Sequence, residues 1–307
     1  MPVWFASVCG GVLLFGVASL SMFEPVRATA ACAEPAQLGW SPAIPQAGTL
    51  FRVTLARTDS AHLTRIRGAQ LAGEPLHFHL DDDSASAYAA APVDSSRGLT
   101  ITITCDDNRQ VSVRLPTRAG DYPLEKLRVA PRFSATPDSA LAARQLREAE
   151  RAAAVSRASH DTPRLWTDAF VAPRTSRITS GFGGGRTFNG AVTSRHMGTD
   201  YAGAVGTPVR AANRGVVRVV DQFFLGGHVI YLDHGEGFVT AYLHLSKQVV
   251  AEGDTVARNA VIGHVGATGR VTGPHLHFIA RYGVITIDPL SLLSRVTAAA
   301  SGQPAPR

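Results

Sequence analysis

The 307-residue sequence predicts a mainly β fold in two parts. A small N-terminal β-sandwich-like domain and an all-β C-terminal domain are joined by a helical linker. Three observations carry this expectation. Short alternating runs such as Leu50-Phe51-Arg52-Val53-Thr54-Leu55, Leu99-Thr100-Ile101-Thr102-Ile103-Thr104 and Val111-Ser112-Val113-Arg114-Leu115 recur among Gly, Pro, Asp and Asn clusters. Between Pro137 and Ser159 apolar residues instead fall at helical spacing, and after Trp166 strand-like runs and glycine-rich turns return. A content of 45% hydrophobic and 18% charged residues is that of buriable, globular sequence rather than disorder.

The elements follow in chain order. From Pro2 to Phe23 there is no charged residue, and Glu24 and Arg27 then lead into Ala28-Thr29-Ala30-Ala31, a small-residue cleavage pattern. Residues 1–31 therefore read as a secretory signal peptide. An uncut membrane anchor is the first alternative, because the apolar stretch is long enough to span a bilayer. A lipoprotein signal ending at Cys32 is the second, although Thr29 stands where such signals favour leucine. Once Cys9 leaves with the signal, Cys32 and Cys105 are an even pair in an oxidising compartment, and a disulfide is the simplest expectation. A buried free thiol at Cys105 is the alternative.

Residues 32–133 make up the predicted N-terminal β domain and 134–166 the linker. Asp138 and Ser139 supply N-cap chemistry, and Leu141, Ala142, Leu146, Ala149 and Ala153 recur at helical spacing over about five or six turns. In the C-terminal domain, 167–292, Val229 to Leu232 and Val239 to Leu243 read as a hairpin through His234-Gly235-Glu236-Gly237. Further strands are expected in Val256 to Val265 and Leu276 to Tyr282, and no segment after Asp168 has a convincing helical period. Residues 293–307 are predicted to be a flexible tail.

A net charge of +6 and a pI near 9.6 point to an anionic partner. Lys126 and Lys247 are the only lysines, and no basic run is interleaved with aromatics, which argues against nucleic acid.

Histidines carry the candidate chemistry. In Ser194-Arg195-His196-Met197-Gly198-Thr199-Asp200-Tyr201, Gly198, Thr199 and Gly203 are poor helix company, so His196 and Asp200 belong to a loop feeding a strand. In Gly273-Pro274-His275-Leu276-His277-Phe278 the strand pleat puts His275, His277, Ile279 and Arg281 on one face. The same pleat aligns Thr240, Tyr242 and His244. His196, Asp200 and one histidine of the HxH pair make a ligand set that suits zinc, with a fourth position left for water. The remaining imidazoles are then free to move a proton or to stabilise a developing oxyanion. His77 and His79 share the HxH spacing but have only Asp81, Asp82 and Asp83 nearby in sequence, and they are read as polar residues on an open sheet face.

Six stretches together resemble the lysostaphin-type (LytM-type) zinc metallopeptidases: Ser180-Gly181-Phe182-Gly183, Arg195 to Tyr201, Gly206-Thr207-Pro208-Val209, Tyr242-Leu243-His244-Leu245-Ser246, Gly253-Asp254-Thr255-Val256, and Gly266-Ala267-Thr268-Gly269 through Phe278. The resemblance covers roughly Ile178 to Pro289. It implies one zinc ion per chain held by His196, Asp200 and His277, catalytic roles for His244 and His275, and hydrolysis of amide bonds in cross-linked stem peptides of peptidoglycan. Pro45-Gln46-Ala47-Gly48, Tyr88-Ala89-Ala90 and Asp121-Tyr122-Pro123 more loosely resemble the β-rich domain that precedes the peptidase in Gram-negative members. One departure is Ile279, where many members have an acidic residue. His228, His234 and His264 match no family ligand and are read as strand or turn residues, His264 being the nearest of the three to the groove.

Some members of that family lose ligands and activate separate amidases. All five positions are filled here, which favours the hydrolase over such a regulator. A biotinyl- or lipoyl-like carrier is excluded because the turn Ala257-Arg258-Asn259-Ala260 has no lysine. The expected setting is the periplasm or cell envelope of a Gram-negative bacterium, with peptidoglycan as partner, a possible membrane anchor at the N-terminus and a monomeric chain. The domain order also raises restraint of the groove by the N-terminal domain or the linker.

Overall fold

The computed structural model describes Met1 and residues 32–34, 37–190 and 192–296. The expected signal peptide and residues 297–307 of the expected tail lie outside the described residues. Among those described, no helix is long and apolar enough to cross a membrane.

Two four-stranded antiparallel sheets form the N-terminal half. The first has the order β1-β2-β6-β5, from β1 (Leu38–Ser41), β2 (Leu50–Ala56), β5 (His79–Asp81) and β6 (Ser84–Ala90). The second has the order β4-β3-β7-β8, from β3 (Ile66–Leu71), β4 (Glu74–Pro75), β7 (Leu99–Cys105) and β8 (Gln110–Leu115). A single turn, α1 (Ser60–Leu63), joins β2 to β3. Alternation in β2 and β7 buries Phe51, Val53, Leu55, Ile101 and Ile103, and the alanines Ala85, Ala87 and Ala89 of β6 keep that face thin. Cys32 and Cys105 are bonded, with Cα atoms 5.7 Å apart, and tie the segment before β1 to the end of β7.

The next strand leaves this half. β9 (Leu124–Leu127) runs parallel to β11 (Gly185–Phe188), which pairs antiparallel with β12 (Val192–Arg195). Just before β9, the Tyr122 hydroxyl donates to Ala47 O and its ring meets Phe182 edge-on at 6.0 Å. Gly183, at φ 89°, makes room for that ring, since a Cβ there would lie 2.3 Å from it.

The helix α2 (Ser139–Ala158) is capped by Asp138, whose carboxylate accepts from Leu141 N at 2.8 Å. Its buried side is not the expected stripe. Leu146 is 71% exposed, whereas Ala152 and Ser156 are buried. The contact face is largely polar: Glu148 accepts from Phe224 N, Arg144 donates to Gln222 O, and Arg151 pairs with Asp221 and Glu252. An apolar periodicity therefore pointed to the wrong side of a helix held down by hydrogen bonds.

That helix covers one face of a ten-stranded sheet whose main path is β10-β13-β20-β17-β16-β15-β18. The strands are β10 (Ile178–Ser180), β13 (Thr199–Ala202), β15 (Gly215–Phe223), β16 (Gly227–Gly235), β17 (Phe238–Gln248), β18 (Thr255–Val256) and β20 (His275–Tyr282). Off this path β14 (Pro208–Arg210) pairs with β19 (Val261–Val265), which also pairs with β17, and β21 (Ile285–Ile287) pairs with β20. Val219, Tyr231, Val239, Ala241, Leu243 and Ile279 face α2. Tyr242, Phe278, Ala280 and Tyr282 face the other way, into a core that also contains residues of the N-terminal sheets. A helix α3 (Pro289–Arg295), capped by Asp288 with Pro289 in its first turn, follows β21. It adds one short helix to a domain that is otherwise β, as expected, and corrects the start of the tail: Leu292 and Val296 are buried, and seven residues are too few to show a period.

The two halves are thus joined by more than a linker. Tyr88 of β6 meets Phe238 edge-on at 5.6 Å, Trp166 packs on both, and Ser291 Oγ accepts from Leu50 N at 3.0 Å. His77 and His79 belong to this joint, so the open-face reading is corrected. His77 Nε2 lies 2.9 Å from His160 Nδ1, His160 Nε2 lies 2.8 Å from Glu74, and Glu236 Oε1 lies 2.7 Å from His79 Nε2. The partners come from elements 80 or more residues away, invisible to a local pattern.

His234 shows what a buried histidine without a ligand role looks like. Its Nδ1–H donates to Arg214 O at 2.7 Å and its Nε2 accepts from Thr240 at 2.8 Å. Thr240 contacts the Tyr242 hydroxyl at 3.0 Å, which accepts from Ala212 N at 2.8 Å. A second proton there would force the Thr240 hydroxyl to turn from donor to acceptor, and burial pushes the imidazole down to about 4.

Two outcomes follow for stability. Between about pH 6.5 and 4 the unfolded chain holds a proton at His234 that the folded chain refuses, so stability falls with pH across that window. His234→Gln should lose less melting temperature between pH 7.5 and 4.5 than the wild type, the difference being on the order of 3 kcal/mol at most. The disulfide closes 73 residues of chain, a restraint of about 4 kcal/mol. Cys105→Ser should lower the melting temperature by roughly 10 °C, and alkylation without reductant should modify neither Cys32 nor Cys105 of the folded wild type.

Candidate metal centre and its groove

The centre is built on antiparallel register. β13 and β20 pair with Asp200 opposite His277, so these two side chains emerge on the same face. Oδ1 of Asp200 lies 2.7 Å from His277 Nδ1. His196 arrives from the loop between β12 and β13, fixed by His196 N donating to Gly184 O and Gly183 N donating to His196 O, each at 2.7 Å. Its Nε2 stands 3.0 Å from Asp200 Oδ1 and 3.0 Å from His277 Nδ1. Gly198 permits the approach: a Cβ there would sit 2.6 Å from Phe278 O and 2.7 Å from the His277 ring.

These donors suit a metal ion. His196 Nδ1 lies 2.6 Å from Gly181 O and must donate to it, which leaves Nε2 a bare acceptor facing a carboxylate oxygen, another acceptor, at 3.0 Å. Two acceptors that close need a second proton or a metal ion between them. Two imidazole nitrogens and one carboxylate oxygen are also a zinc donor set with one position open. The three residues are the one group among the described residues whose ligand atoms lie within 4.8 Å of one another in this way.

Support comes from residues that the sequence did not single out. Arg186 of β11 donates from Nη2 to Asp200 Oδ2 at 2.8 Å, which reserves Oδ1 for the centre. Its Nε donates to Glu125 Oε2 at 2.9 Å, and Ser180 Oγ donates to Glu125 Oε1 at 2.7 Å. Arg186 stands three residues beyond the Ser180–Gly183 stretch, where a search for a cation beside a buried carboxylate would find it. Glu125, some 55 residues before Ser180 in β9, carries no such signal.

Burial favours neutral His277 and His244, and their surroundings keep the Asp200 carboxylate charged. Burial pushes His277 down to about 4, against the pull of Asp200. Burial first, then His277 and His275, hold His244 well below its ordinary value. Burial alone would raise Asp200, but its close contacts with His196 and His277 outweigh it and hold the carboxyl well below the usual range.

His275 and His244 flank the centre. His275 points to the same face as His277, as the pleat predicts, with Nδ1 2.8 Å from Gly273 O and Nε2 3.6 Å from Asp200 Oδ1. His244 departs from the expected pleat. Thr240 and Tyr242 point into the core beneath the sheet, yet the His244 ring lies 5.0 Å from that of His275 and 5.7 Å from that of His277. The cause is a left-handed backbone at His244, φ 63°, where β17 exchanges β20 for β19 as its neighbour. The turned residue is anchored by His244 N donating to Gly226 O at 2.9 Å and by Nδ1 at 2.8 Å from Thr268 O.

A groove passes over these groups. A cavity of about 400 Å³ is bordered by Glu125, Arg186, Asp200, His244, Arg270 and His275. A neighbouring one of about 160 Å³ reaches His196 and His277 and shares Arg186, Phe188, His244 and Arg270. His264, expected nearest the groove, lies on β19 opposite Pro208 and borders neither cavity. His228, on β16, contacts Gln248.

Residues 194–289 match the model of Peptidase family M23. Over 83 residues the chain is 46% identical to peptidoglycan DD-endopeptidase ShyC of Vibrio cholerae, a match covering 27% of this chain and 19% of that protein. Over 97 residues it is 44% identical to DD-carboxypeptidase/endopeptidase Mpg of Neisseria meningitidis, covering 32% and 22%. The match thus spans about a fifth of the length of these curated relatives. A Pseudomonas aeruginosa crystal structure assigned to peptidase M23 aligns with 83% of this chain and 96% of its own at a TM-score of 0.60 and 23% identity, a likeness of fold. The chain therefore carries a Peptidase family M23 (LytM-type) domain.

Proposed function

We propose that this protein is an exported, zinc-dependent peptidoglycan endopeptidase that hydrolyses amide bonds in cross-linked stem peptides of the cell envelope. The observation that carries the reading is the convergence of His196, Asp200 and His277 on one point, with His244 and His275 on the same groove. Relatives named as peptidoglycan DD-endopeptidases support the substrate class, and the basic chain suits an acidic polymer.

His196, Asp200 and His277 would hold the metal. Bound there, zinc supplies Lewis-acid polarisation of a scissile carbonyl and a water acidified to a pKa of about 7. The remaining steps belong to the chain. His275 and His244 each have Nδ1 tied to a backbone carbonyl, Gly273 O and Thr268 O, so each presents a basic Nε2. One Nε2 takes the proton of the attacking water and passes it to the leaving amine. The other donates to the developing oxyanion only when its Nε2 also carries a proton, each role contributing on the order of a hundredfold or more. Arg186 keeps Asp200 in place throughout, through the oxygen that faces away from the imidazoles.

His277→Ala should lose zinc, measured by metal analysis of the purified protein, and cleavage of purified sacculi together. Chelation should abolish wild-type cleavage and added zinc should restore it. Cleavage retained by the zinc-free variant would overturn the assignment. His275→Ala and His244→Ala should keep zinc while cleavage falls by roughly a hundredfold or more.

A further inference from the structure

Arg270 is a cation on the groove with no anion of its own. It lies in the segment between β19 and β20, its backbone N donating to Leu225 O at 2.8 Å, with its guanidinium carbon 3.9 Å over the Phe188 ring. Among the described residues no carboxylate pairs with it. The two acids on the larger cavity, Glu125 and Asp200, are both engaged by Arg186. Arg177 also borders that cavity but is exposed, so water can solvate it. Arg270 is half-buried, and burial together with the neighbouring Arg186 charge works against its cation.

A partly desolvated guanidinium without a counter-ion is costly, and a ring face offsets only part of that cost. What remains is a set of planar donors whose matching acceptor is a carboxylate, taken through two parallel hydrogen bonds. Position gives the anion its identity. Arg270 borders both cavities together with His244, so it stands beside the place where the amide is cut rather than at a remote end of the groove. Within a cross-linked stem peptide, a carboxylate so close to the scissile bond is one carried by the carbon attached to the amide nitrogen. Diaminopimelate has one at its cross-linking centre, and a terminal D-alanine has one as well. A residue inside a glycine bridge has none.

We propose that Arg270 is a specificity residue that binds a free carboxylate on the carbon next to the scissile amide nitrogen, and thereby selects bonds made to α-carboxylated amines. This rests on the endopeptidase reading above and names the leaving-group side of its substrate.

The test uses zinc-loaded full-length protein and two substrate pairs. The first pair is a D-alanyl–diaminopimelate cross-linked muropeptide dimer with that carboxyl free or amidated. The second is a stem pentapeptide ending in D-alanine or in D-alaninamide. Wild type should prefer the free acid by roughly ten- to a hundredfold in kcat/KM in at least one pair, the pair identifying the natural leaving group. Arg270→Met should bring that ratio close to one, and Arg270→Lys should retain part of it, with melting temperature confirming that both variants fold. Equal cleavage of both members of each pair by wild type would overturn the role of Arg270 and leave the endopeptidase reading standing. So would equal slowing of acid and amide in Arg270→Met. If wild type cleaves neither pair nor sacculi, the endopeptidase reading itself falls, and this one with it.

Discussion

The register between β13 and β20 is the constraint on which the site depends. With Asp200 opposite His277, a carboxylate and an imidazole share one face of the sheet. A slip of one residue would put Thr199 or Tyr201 there and turn Asp200 into the core. The register is held from below, where Tyr201, Leu276 and Phe278 are buried apolar residues on the opposite face. Packing on one side of the sheet therefore fixes the chemistry on the other. Only then can the loop carrying His196 complete the group, through a glycine small enough to let it pass against β20.

A second layer of organisation runs through charge. The buried carboxylate has two oxygens and two different neighbourhoods, imidazoles on one and Arg186 on the other. Arg186 is itself fixed by Glu125, so a residue from the N-terminal half reaches the centre through one intervening side chain. Tyr122, just before β9, bonds to Ala47 O and packs on Phe182, and with the β11 pairing it keeps β9 where this is possible. Distance along the chain and distance to the centre are unrelated here.

Much of the C-terminal sheet was legible because its strands alternate cleanly and its turns carry glycine. The hairpin of β16 and β17 and the common face of His275 and His277 follow from a period of two. The same rule misplaced His244, because alternation assumes an uninterrupted strand and a left-handed residue breaks it. The face of α2 was misread for a related reason: a hydrophobic stripe was sought where Glu148, Arg144 and Arg151 make the contacts. Local sequence leaves His77 and His79 on an open face because their partners, His160 and Glu236, become neighbours only when the halves close. Arg186 and Arg270 stand close to recognisable stretches, but Glu125 acts by proximity in three dimensions, and no spacing in the chain encodes that.

The parallel pairing of β9 with β11 sets a limit on how the molecule can be divided. A chain shortened to begin after β9 would keep every histidine of the centre and still be a different object. Its β11 would become a bare sheet edge, a template for association with other chains. Arg186 would lose its Glu125 counter-ion and lean on Asp200 alone, in a groove missing one bank. The boundary between scaffold and catalyst runs through a hydrogen-bonded ladder, so the unit that folds and the unit that reacts are both larger than the segment that names the family.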